Sequence, residues 1–106
     1  MLVHAATAPR AAMLVLPVLP RHLWLETFDY LWATSAAVLA AYRPAQETGT
    51  GGEGPAVAPA EVAEAAVRNG DEHVIKFVEV ALESHARDVP EALAAAARAT
   101  MLITPE

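Results

Sequence analysis

The sequence predicts an all-α fold, a helical bundle of about five helices, and three observations carry that expectation. Alanine supplies much of an apolar share of 55%, and alanine loses no side-chain entropy in a helix. No segment alternates apolar and polar residues with period two, as a half-buried strand would. Apolar residues recur instead at spacings of three and four, in runs bounded by proline, glycine and acidic residues.

Taken in order, Ala8 to Leu16 reads as a short apolar helix started by Pro9 and stopped near Pro17. Pro20 then suits the first position of a long helix running to about Tyr42, because the N–H it lacks would be unsatisfied there anyway. Within that helix Trp24, Phe28, Leu31, Ser35, Val38 and Tyr42 form a core-facing stripe. Arg21, Glu26 and Asp29 fall elsewhere on the wheel. Residues 44–59 hold Gly49, Gly51, Gly52, Gly54, Pro44, Pro55 and Pro59 without apolar period. They read as a flexible surface loop, long enough to act as a linker, an insertion point or an active-site cover. Three helices follow. The first runs from about Ala60 to Asn69 and stops at Gly70, and the second is capped by Asp71 and runs to about Arg87. The third starts near Pro90 and Glu91, with Asp88 as its cap, and ends near Leu102.

At 106 residues the chain is one domain's worth of sequence, or a piece of one. The absence of cysteine excludes a disulfide framework, a thiolate metal site and a cysteine nucleophile, and fits a reducing compartment. A net charge of −6 argues against a nucleic-acid partner, which demands a lysine and arginine patch. Ala11 to Leu19, flanked by Arg10, has the apolarity of a signal-peptide core. Pro17 and Pro20 interrupt it, however, and no cleavage site follows before the tryptophans. Ala33 to Ala41 is too short to span a bilayer. No membrane partner is expected.

The chemistry-bearing stretch is Gly70-Asp71-Glu72-His73-Val74-Ile75-Lys76-Phe77. His73 and Lys76 are three residues apart, neighbours on one helix face. Glu72, Lys76, Glu79 and Glu83 also fall within about 60° of one another. Two readings stand side by side. In one, Lys76 is a surface lysine between Glu72 and Glu79. In the other, the stripe faces an internal cavity, because Val74, Ile75, Phe77, Val78, Val80 and Leu82 cover the remaining circumference. His4 sits in an apolar context near the terminus, while His22 and His85 are expected to be exposed. Trp24 and Trp32 read as core or groove-filling side chains. No glycine-rich phosphate loop and no nucleophile elbow occurs.

Two separated stretches together resemble the questin oxidase-like family. One is Leu2-Val3-His4-Ala5-Ala6-Thr7-Ala8-Pro9, followed by Leu16-Pro17-Val18-Leu19-Pro20 and a long helix ending Ala40-Ala41-Tyr42. The other is Asn69-Gly70-Asp71-Glu72-His73-Val74-Ile75-Lys76-Phe77, with Glu79 and Ala81 behind it. The His-x-x-Thr and Asp-Glu-His-x-Ile-Lys pieces are the specific ones. On this resemblance residues 1–106 correspond to the C-terminal segment of a larger helical domain, and Met1 falls where the family's chain is already deep in its fold.

The resemblance implies a cytoplasmic oxidoreductase of secondary metabolism, a monooxygenase that oxidises or cleaves a polyketide-type aromatic ring. It implies NADPH, and in some members non-haem iron, with His4, His73 and Lys76 lining the reaction centre. Imidazole suits iron, whereas a lysine ammonium ligates only after losing its proton or becoming a carbamate. A free-standing segment exposes faces that pack on the rest of such a domain. It is therefore expected to homodimerise or to recruit a complementing N-terminal polypeptide. The rival expectation is a non-catalytic helical module that associates through the Trp24–Tyr42 stripe.

Overall fold

The computed structural model describes residues 2–42 and 57–105, and these form five α-helices with no strand among them. The chain is all-α. Its helices divide into two compact units. The first holds α1 (Leu2–Val15) and α2 (Trp24–Tyr42), and the second holds α3 (Pro59–Asn69), α4 (Glu72–His85) and α5 (Glu91–Leu102).

In the first unit α1 and α2 pack on each other as a helical hairpin. The start expected at Pro9 is corrected, since α1 begins at Leu2 and runs through Pro9. A proline there forfeits the bond to the Ala5 carbonyl, and the flanking alanines sustain the helix on both sides. The expected start of α2 at Pro20 also shifts. Pro20 caps a 3-10 turn over Arg21–Leu23, and the α-helix proper begins at Trp24. Trp24 braces this elbow: its indole N–H donates to the Leu19 carbonyl at 3.0 Å, and the Arg21 guanidinium lies 5.5 Å from its ring centroid. Leu23 of the 3-10 turn and Thr27, Leu31, Ser35 and Val38 of α2 are half-buried on one side. No residue of either helix is buried.

The second unit has a core. Val62 and Ala66 from α3, Val74, Val78 and Ala81 from α4, and Leu93 and Ala96 from α5 are buried together. Their spacings of three and four put one face of each helix toward the other two. Alanines at Ala66, Ala81 and Ala96 let the backbones approach closely, so the core is small and tight.

The helix ends follow local chemistry. Gly70 stops α3 in the left-handed region at φ 79°, donating its N–H to the Ala66 carbonyl at 3.0 Å. Asp71 caps α4, accepting from the backbone N–H groups of His73 and Val74 at 2.8 and 3.3 Å. Asn69 joins the ends of α3 and α5. Its Nδ2 donates to the carbonyls of Thr100 and Ile103 at 3.2 and 2.7 Å, while its Oδ1 accepts from the Asp71 N–H at 3.1 Å.

Asp88 plays a different part from the expected one. It adopts φ 65° and closes the end of α4, where the Val89 N–H bonds to the Ser84 carbonyl and the Asp88 N–H to that of His85, both at 3.1 Å. Aspartate tolerates this left-handed turn better than most residues. Pro90 stands at the start of α5 without a side-chain cap. Most of the loop expected over 44–59 lies outside the described residues; at its far end Val57 and Ala58 lead into α3, which Pro59 opens.

Candidate functional site

His73 and Lys76 both lie on α4, and each is engaged by an acidic neighbour of its own. The Lys76 ammonium bonds Glu72 Oε2 at 3.1 Å, one helical turn back, and its side chain is 56% exposed. The His73 ring, 44% exposed, places Nδ1 3.4 Å from Asp71 Oδ1. Between the two readings of this stripe, the geometry of Lys76 is that of the surface ion pair rather than of a group facing an internal cavity. His4 belongs to α1 in the other unit and is exposed there.

The electrostatics follow from these contacts. The Asp71 carboxyl is held below its ordinary range, first by the His73 backbone N–H, then by that of Val74 and by the His73 ring. The Lys76 ammonium holds Glu72 below its usual value by hydrogen bond and by charge. Gly70, Asp71, Glu72, His73 and Pro105 line an open depression of about 370 Å³. Lys76 does not line it.

Lys76 as placed is not an iron ligand. A solvated ammonium bonded to a carboxylate offers no lone pair, and among the described residues no three His, Asp or Glu side chains group as metal ligands.

His85 differs from its expected exposure. It is half-buried at the end of α4, and its Nδ1 is covered with no hydrogen-bond partner among the described residues. His22 is exposed as expected.

A more extensive surface lies on α2. The stripe Trp24, Phe28, Leu31, Ser35, Val38 and Tyr42 resolves into two. Leu31, Ser35 and Val38 are on the half-buried face with Thr27, whereas Trp24, Phe28 and Tyr42 look outward. Outward-facing residues that the single stripe left out, Leu25, Trp32 and Leu39, complete a second row. With Ser35 on the edge it shares with the half-buried face, Leu25, Phe28, Trp32, Ser35, Leu39 and Tyr42 follow spacings of three, four, three, four and three. That alternation is the a/d pattern of a coiled-coil seam, and it is the signal that finds these residues from sequence. Leu25 is 72% exposed, Phe28 54%, Trp32 68%, Leu39 52% and Tyr42 51%. The rings of Phe28 and Trp32 stack on this row with centroids 6.5 Å apart and planes 19° apart.

Set against known families, curated proteins and solved structures, the chain finds no match in any of the three comparisons. No helix of the described residues is long and apolar enough to cross a membrane.

Proposed function

We propose that this chain is a helical association module. The α3–α5 unit is a self-contained carrier with its own core, and the α1–α2 hairpin is the part that meets a partner. One observation carries the reading. The hairpin buries no residue, yet it displays a row of five exposed apolar side chains on α2, Leu25, Phe28, Trp32, Leu39 and Tyr42. A two-helix unit without a core gains too little burial to offset the entropy of ordering its chain. Its stability therefore depends on covering that row.

Sedimentation velocity on the full chain tests this. The parent is expected to sediment as an assembly that dissociates on dilution, and Leu39→Ala is expected to shift dissociation to higher concentration. A chain that is monomeric at every concentration contradicts the reading.

A second reading keeps the oxidoreductase resemblance. The observation favouring it is that Asp71 and His73, inside the family-like motif, line the depression of about 370 Å³. In this reading His73 and Lys76 belong to the reaction centre of an enzyme that oxidises or cleaves a polyketide-type aromatic, with NADPH and non-haem iron supplying the redox chemistry. Iron content of the purified chain tests it. Iron in the parent that is lost on His73→Ala supports the reading. No iron in the parent, with unchanged melting of His73→Ala and Lys76→Ala, removes it for this chain alone.

A further inference from the structure

We infer that the occupant of the α2 seam is the same seam of a second copy of this chain, running antiparallel about a two-fold axis between Ala33 and Thr34. This deepens the association reading and rests on it. The first argument is the match of sizes. Antiparallel pairing about that point sets Trp32 against Ser35, Phe28 against Leu39, and Leu25 against Tyr42 of the second copy. Each bulky side chain then meets a smaller one, as close packing requires. Parallel pairing in register sets Trp32 on Trp32 and Ser35 on Ser35, crowding one layer and leaving a void in the next. Antiparallel a/d seams also pair a with d in every layer, and all of these layers do so.

The area agrees. Large aromatic side chains bury roughly 150–250 Å² each, so five half-exposed or better seam residues offer on the order of 600 Å² per copy. A standard interface takes about 800 Å² per partner. The shortfall is small. Because α1 covers the neighbouring face of α2, the seam stays open to a partner, and two hairpins meeting there form a four-helix arrangement.

Charge sets the direction. Glu26 and Asp29 both lie in the N-terminal half of α2. Parallel copies bring four carboxylates to one end. Antiparallel copies hold the two Asp29 residues roughly 13 Å apart at 1.5 Å rise per residue, beyond the screening length of about 8 Å in physiological salt. The chain's net charge of −6 also disfavours an anionic membrane surface as the occupant. A copy of the chain supplies a seam of matching length without adding charge to it.

The chain has no cysteine, so introduced thiols report the register directly. Leu25→Cys and Tyr42→Cys are prepared separately in the full chain, checked for parent-like helicity, mixed as dimers, exchanged and oxidised. The inferred register yields cross-linked mixed dimers and little cross-linking of either variant alone. In the parent background, Trp32→Ala weakens dimerisation about tenfold or more. Cross-linking of Tyr42→Cys with itself overturns the register while leaving association standing, and dimerisation indifferent to Trp32→Ala overturns the α2 seam as the interface. A parent monomeric at all concentrations overturns both.

Discussion

The Phe28 and Trp32 rings stack one turn apart on α2, both more than half exposed. A stacked aromatic pair at a helix surface is ordered apolar area facing water, which soluble monomers rarely display in a continuous row. The contrast with Val74 on α4, fully buried among α3 and α5, separates the two units by their energetics. One closes its own core. The other leaves its apolar row exposed.

Val74 provides the first prediction. Val74→Ala removes two methyl groups from a site with no exposure, in a core made of only a few side chains. The expected loss is about 2 kcal/mol of unfolding free energy, read by denaturant titration of the helical signal. The effect belongs to the second unit, so dimerisation is expected to persist.

Asn69 tests how the ends of α3 and α5 are tied. Its amide donates to two carbonyls of the α5 end and its oxygen accepts from Asp71. Asn69→Ala strands these partly buried groups and is expected to cost about 1–3 kcal/mol. Asn69→Asp keeps the acceptor for Asp71 and loses both donations, so it rescues little. Full rescue by aspartate would contradict the assigned hydrogen bonds.

Asp71 sets an acid limit. Its carboxyl is held below its ordinary range chiefly by the His73 backbone N–H. A lowered folded-state value means that its contribution is fully present above the unfolded-state pKa, about pH 4, and is lost as pH falls through the folded value. The melting temperature of the parent is expected to fall through that acidic window. Asp71→Asn is expected to lower the melting temperature at neutral pH by a few degrees and to flatten the acid dependence. An unaltered pH profile would show that the cap does not carry it.

Much of the second unit was legible because its signals are local. Gly70 supplies the left-handed stop and Asp71 the cap, and each acts on its immediate neighbours alone. Asp88 is ambiguous in sequence because aspartate serves both a helix start and a left-handed end, and the choice depends on how α4 closes around Ser84. The extent of α1 was hidden by Pro9, whose breaking tendency was outweighed by the alanines around it.

On α2 the difficulty was different. The helix carries two apolar rows, one half-covered within its own unit and one bare, and a single wheel merges them. Periodicity shows that a face is apolar but not what covers it. The His73–Lys76 pair shows the same limit. Spacing put both on one face, but the engagement of Lys76 by Glu72 decided that its ammonium faces solvent.

Tryptophan emission across a dilution series of the full chain tests the central claim most directly. Both tryptophans lie in the hairpin, at Trp24 and Trp32, so the signal reports the α2 surface and nothing of the α3–α5 core. A covered seam predicts blue-shifted emission at high concentration that moves red, with rising acrylamide quenching, as the chain is diluted. Red, freely quenched emission that stays constant at every concentration would contradict it.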